Sequence, residues 1–161
     1  MRRKLIAVVL VASLAVNLAI LLGPSRHLTP APALADVTES GEELSMYMAQ
    51  MQRLTHKLGL AIDAGNKDLA TFYLGEMGET ADVIERRFPM YDNFQIGALV
   101  KAMLRPSLAP VAVALEGGDM AAASTAYEGA LTSCNSCHIA TQRTFIKVTR
   151  IKTNPYAQSF K

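Results

Sequence analysis

Beyond residue 38 the apolar residues recur every three or four positions, and four such stretches, separated by glycine, proline and asparagine, predict four helices and no strand. The first opens near Thr38 or Ser40, where Ser40 with Glu43 three residues on fits a capping box. Leu44, Met48, Met51, Thr55, Leu58 and Ile62 form its stripe, and Gly65-Asn66 ends it. The second runs from about Lys67 to Phe88, with Leu69, Tyr73, Met77, Ala81, Ile84 and Phe88 in line, until Pro89 stops it. After a loop at Tyr91-Asp92-Asn93 the third carries Ile96, Leu99, Val100, Met103, Leu104, Leu108, Val111 and Leu115. Pro106 and Pro110 fall inside that pattern, and an interior proline removes a hydrogen bond and crowds the carbonyl four residues back, so a bend is expected near Arg105. Gly117-Gly118 closes this helix and Asp119 caps the fourth, expected from Met120 to about Ile151. In it Tyr127, Cys134, Thr141 and Val148 share one row, and Leu131, His138 and Phe145 the neighbouring one.

Ahead of these helices the pattern changes. Arg2, Arg3 and Lys4 precede an uncharged apolar run from Leu5 to Leu22, the charged region and apolar core of an export signal. Residues 1–22 are read as a signal peptide or an N-terminal membrane anchor. Ala33-Leu34-Ala35 before Asp36 has the form of a cleavage site, while the 18-residue run is at the lower limit for spanning a bilayer. Residues 23–38, with Pro24, Pro30 and Pro32, read as a linker in which His27 is solvated. The signal is expected to take the protein out of the cytoplasm, free after cleavage or still anchored in the membrane. All fourteen acidic residues lie at or after Asp36, against twelve of the sixteen basic ones, so the exported part carries a formal charge of −2. No basic tract beyond the leader argues for nucleic acid. The domain is expected over residues 39–152, with a tail at 153–161 in which Tyr156 and Phe160 are either anchors or a flap.

The chemistry concentrates in Cys134-Asn135-Ser136-Cys137-His138, which holds both cysteines of the chain. Thiols three residues apart share a helix face, so both can bond the two vinyl groups of one porphyrin while the adjacent imidazole reaches the iron. This is the c-type haem attachment spacing, C-x-x-C-H. Cys134 and Cys137 are the expected covalent anchors of one haem c, and His138 the expected iron ligand. Two other readings stay open. Structural zinc takes four N or S ligands, for which His27 and His56 are the remaining histidines. A redox dithiol would want a strand leading into the motif, where this chain has an Ala-rich helical run. No Ser/His/Asp arrangement is legible, so no enzyme activity is expected, and Glu76, Glu79 and Glu85 read as a solvated face. The sixth coordination position falls to Met48, Met51, His56 or no residue. On a helical wheel Met48 lies about 60° from Met51 and His56 about 140°, near the polar edge, which favours a methionine, although methionines on an apolar stripe are also ordinary core filler.

With the motif on the last of four helices and 23 residues after His138, the chain resembles the cytochrome c′ family. The resemblance spans about Glu39 to Val148 and rests on Gly118-Asp119, Tyr127, Cys134, Cys137, His138 and Arg143; the first three helices match in layout more than in residues. Ordinary small c-type cytochromes place the motif near the start of the domain with a methionine ligand downstream, and no methionine follows Met120 here. The resemblance implies an all-α fold, an antiparallel four-helix bundle with haem attached to the last helix. It implies a periplasmic protein that carries electrons to and from redox partner proteins or, alternatively, binds or buffers small gases such as nitric oxide and carbon monoxide. It further implies a haem propionate contact from an arginine of the first helix, for which Arg53 is the candidate, and pairing of two copies through the first two helices, where Met46, Tyr47 and Phe72 stand. An electron carrier favours two strong axial ligands, and a gas binder an open or weakly held sixth position.

Overall fold

The computed structural model describes residues 41–161, with side chains from residue 44 onward; the leader, the linker and the cap expected at Ser40 lie outside the described residues. The fold is all-α: helices α1 (Gly41–Asp63), α2 (Lys67–Arg87), α3 (Ile96–Glu116) and α4 (Met120–Ala140), and no strand among the described residues.

Two junctions are built alike. Gly65, at φ 72°, donates to the Ile62 carbonyl while Asn66 N–H reaches the Ala61 carbonyl, and Gly118, at φ 73°, donates to Leu115 while Asp119 N–H reaches Ala114. Glycine takes this left-handed conformation at least cost. The residue after each glycine then caps the next helix: Asn66 Oδ1 accepts from Leu69 N–H at 3.1 Å, and Asp119 Oδ1 from Ala122 N–H at 2.9 Å. Between α2 and α3, Tyr91 and Phe94 exchange both backbone hydrogen bonds at 2.9 Å around Asp92 (φ 47°) and Asn93 (φ 66°), the left-handed pair that a two-residue hairpin turn requires.

α3 does not break at its prolines. Val100–Leu104 widens into a π turn, with Arg105 N–H bonded to the Val100 carbonyl, immediately before Pro106. A wider turn relieves the crowding that a proline ring imposes on the preceding turn, and this π turn is what stands where a bend was expected near Arg105. The Met103 carbonyl inside it accepts from Ser133 Oγ of α4 at 2.8 Å, and Arg105 reaches Asp82 and Glu85 of α2. By length and composition α3 could cross a membrane, with an 18-residue window of mean hydropathy 1.5; in this fold Ile96, Val100, Leu108, Val111 and Leu115 are buried in the core it shares with α2 and α4.

α4 is shorter than its pattern predicts, ending at Ala140 rather than near Ile151. Gln142 adopts φ 60° and donates to the Ile139 carbonyl, while Arg143 N–H bonds His138 O at 2.7 Å, the same closure the glycines make, with no glycine to announce it. Phe145, expected in the row of Leu131 and His138, is 81% exposed. The tail is an anchor, not a flap: Phe160 is buried beside Tyr73, and Gln158 Oε1 accepts from Lys57 Nζ and Tyr73 Oη, each at 2.9 Å.

α1 packs along α2, and α3 along α4, more extensively than α1 along α4. Tyr47 of α1 meets Phe88 at the end of α2 edge-on, 5.7 Å between ring centres, and Lys57 sits 5.3 Å over Tyr73. α1 and α4 touch at Gly59, where an added Cβ would lie 2.7 Å from Tyr127 Oη. The fully buried Tyr127 hydroxyl donates to Thr55 O at 2.9 Å. Burial far from water holds this phenol well above its usual pKa, so it remains a donor.

Candidate cofactor site

From the Tyr127 crossing toward the start of α1 the seam between α1 and α4 opens into a cavity of about 330 Å³, within the range of small-molecule sites. α1 lines it with Leu44, Met48, Met51, Gln52 and Thr55, α3 with Ile96, Val100 and Leu104, and α4 with Cys134, Cys137 and His138. The stripes expected to face inward on α1 and α3 supply Leu44, Met48, Met51, Thr55, Ile96, Val100 and Leu104 to these walls, which are chiefly apolar.

Both cysteines are free thiols facing this space. Burial, with the neighbouring Cys137 second, pushes the Cys134 thiol up to about 11, and burial raises Cys137 as well. At neutral pH they are uncharged, unlike the depressed thiolates of redox or nucleophilic sites. His56 does not join them, and among the described residues no group of three or more metal-ligating side chains is assembled, so the four-ligand zinc set is not formed there.

His138 is half-buried, and its Nδ1 lies 3.1 Å from the Ile146 carbonyl. A carbonyl can only accept, so Nδ1 donates in this contact, and in the neutral imidazole the lone pair is then on Nε2. Metal-binding histidines are ordinarily oriented by such a bond from the other ring nitrogen. The returning segment that offers this carbonyl is itself tied: Ile146 N–H bonds Arg143 O at 2.9 Å, Asn135 Nδ2 donates to Val148 O at 2.9 Å, and Val148 N–H donates to Asn135 Oδ1 at 2.8 Å. At the rim Arg143 lines the cavity beside Tyr91, with Nη2 on Asp92 at 2.7 Å, Nη1 on the Thr141 carbonyl at 2.9 Å and its guanidinium 5.3 Å over the Tyr91 ring.

Of the residues singled out from the sequence, Cys134, Cys137, His138, Met48 and Met51 meet in this one space, with Met51 only 5% exposed. His56 does not line it: the imidazole lies past Thr55, the last lining residue of α1, and burial lowers its pKa. Arg53 is also outside the lining: two residues after Met51 it is rotated about 200° around the helix, exposed and bonded to Gln50. The arginine at the cavity is Arg143. Met46 and Phe72 are exposed but sit toward opposite ends of the α1–α2 pair, near Phe88 and Lys57 respectively, and Tyr47 Oη accepts from Arg87. The Asn135 clamp and the Ile146 carbonyl had no sequence signal, because both depend on where α4 stops. Compared with known proteins, the chain matches no family model, no curated sequence and no solved structure.

Proposed function

We propose that the chain is a monohaem c-type cytochrome of the periplasm, its four helices an antiparallel bundle with haem c on the last, and that it transfers electrons to and from redox partner proteins. The observation that carries this reading is the union of two thiols and an imidazole with a free Nε2 on the wall of one chiefly apolar cavity. These residues fit a covalently held haem, which when bound supplies one-electron chemistry at iron. Cys134 and Cys137 would hold such a group through their sulfurs, one thioether each. His138 would hold the iron through Nε2, its ring oriented and made more basic by the Ile146 carbonyl at Nδ1. Met51 or Met48 would offer a thioether to the iron from the facing helix, and a second ligand of this kind would limit rearrangement on electron transfer. Arg143, which lines the cavity, would be placed to meet a haem propionate beside the Arg53 candidate, and Leu44, Val100 and Leu104 would give the group apolar walls.

The same aliphatic wall favours a second reading: with neither methionine bound to iron, Leu44, Val100 and Leu104 face an open position fit for nitric oxide or carbon monoxide. Nucleic acid has no place in either reading, and N-terminal anchoring and a homodimer are compatible with both. The exported protein is expected to show c-type absorption bands and to keep its haem through acid-acetone extraction. Retention of extraction-resistant haem after replacing both Cys134 and Cys137 with Ala would overturn the proposal.

A further inference from the structure

Asn135 occupies a variable position inside the C-x-x-C-H spacing, yet its side chain does more than face solvent. Its amide makes the two hydrogen bonds a peptide makes in a β-bridge, donating to Val148 O and accepting from Val148 N–H, across thirteen residues of chain. Asn135 and His138 are three apart on α4 and so share a face, and the segment held by one passes over the other. Two residues before the clamp, the Ile146 carbonyl meets His138 Nδ1 at 3.1 Å. The Ile146 and Val148 side chains, spaced two apart, both line the cavity. The segment is fixed at its near end by Arg143 N–H on His138 O and by the turn from Arg143 to Ile146, while the side chains of Phe145 and Lys147 are exposed. The peptide that carries the histidine's acceptor is therefore held from its far side by Asn135.

Resting on the haem reading above, we propose that Asn135 is the positioning residue for the axial histidine: by clamping Val148 it sets the Ile146 carbonyl on His138 Nδ1, and with it the orientation and basicity of Nε2. The bond to a carbonyl gives the imidazole stronger electron donation to a metal, and second-shell partners of this kind tune ligand strength. Asn135→Leu removes both hydrogen bonds at similar volume, and Asn135→Asp keeps the acceptor for Val148 N–H while losing the donor to Val148 O. In the ferrous holoprotein, directly or after photolysis of a carbon monoxide adduct, resonance Raman should show the iron–histidine stretch shifted down in Asn135→Leu and by a smaller amount in Asn135→Asp. The midpoint potential should rise in the same order. A merely structural staple predicts something else: a lower thermal midpoint with stretch and potential unmoved, and that result overturns the proposal. If the Leu variant does not fold, the Asp variant alone decides, an unshifted stretch again counting against it. Absence of c-type bands in the unsubstituted protein would defeat the haem reading and this one together; normal bands with an unshifted stretch defeat this one alone.

Discussion

Gly59→Ala tests how α1 and α4 are held at the base of the cavity. In an isolated helix the change would add about 1 kcal/mol of stability, because alanine loses less backbone freedom than glycine on folding. Here the new methyl meets Tyr127 Oη at 2.7 Å and Cζ at 2.8 Å, distances that real Cβ atoms do not tolerate. Tyr127 is fully buried and cannot swing into solvent, so overpacking costs about 1–3 kcal/mol, and loss of its 2.9 Å hydrogen bond to Thr55 O about 1 kcal/mol more. The net expectation is a loss of about 2 kcal/mol, which at roughly 4 °C per kcal/mol lowers the thermal midpoint by about 8 °C. On a Tyr127→Leu background the ring is gone, the propensity gain stands nearly alone, and the same substitution should stabilise by about 1 kcal/mol. The sign reversal amounts to a coupling of about 3 kcal/mol between the sites, read from urea unfolding of the four proteins followed by far-UV circular dichroism. Equal losses on both backgrounds would refute the close approach of the two helices.

Replacing Met48, Met51 and His56 one at a time should alter the ferrous spectrum only for a residue on the iron: loss of a low-spin spectrum and gain of carbon monoxide binding on Met51→Ala or Met48→Ala identifies the ligand, and unchanged high-spin spectra in all three support the gas-binding reading. Deleting residues 153–161 removes the burial of Phe160 and the Gln158 hydrogen bonds to Lys57 and Tyr73, an expected cost of about 3 kcal/mol. Because Tyr156 and Phe160 do not line the cavity, the visible spectrum should stay the same, and a changed spectrum would contradict the anchor role. Burial lowers the pKa of His56 from its ordinary 6.5, so the unfolded chain binds the proton more readily. Its stabilising effect is complete above pH 6.5 and is lost as the pH falls through the depressed folded value, and His56→Gln should flatten that decline in the unfolding free energy.

The stripes of α1 to α3 were legible because each is long, periodic and ended by Gly65, Pro89 or Gly118, residues whose backbone limits are local. The cavity walls followed, since Met48, Met51 and Val100 lie on those stripes and the cysteines on the facing helix. What failed was the end of α4. Gln142 is a residue that ordinarily avoids φ 60°, and Val148 fell by coincidence on the helical row of Tyr127 and Cys134, although its burial comes from the Asn135 clamp. Arg53 lies outside the cavity lining because a resemblance assigns a helix, not a face, and the face is set by rotation from Met51. Arg143 could not be placed at the rim from sequence, since its partners Asp92 and Tyr91 belong to a turn fifty residues away.

The contacts that tie α1 to α4 and to the segment after it are among the most distant along the chain: Tyr127 with Thr55 across 72 residues, Arg150 with Asp63 across 87, and Lys57 with Gln158 across 101. The α1–α2 and α3–α4 pairs are instead joined by short links and can form early as separate hairpins. Drawing ends so far apart together costs more chain entropy than closing a three-residue turn, and contacts of high sequence separation form late. In time, then, α1 is the last wall to arrive at the cysteines. Until it does, Cys134 and Cys137 lie open to water on a helix already formed, their thiols free of the burial that later suppresses ionisation, and under the proposed haem reading that interval is the window in which the prosthetic group would be received without prising a finished core apart.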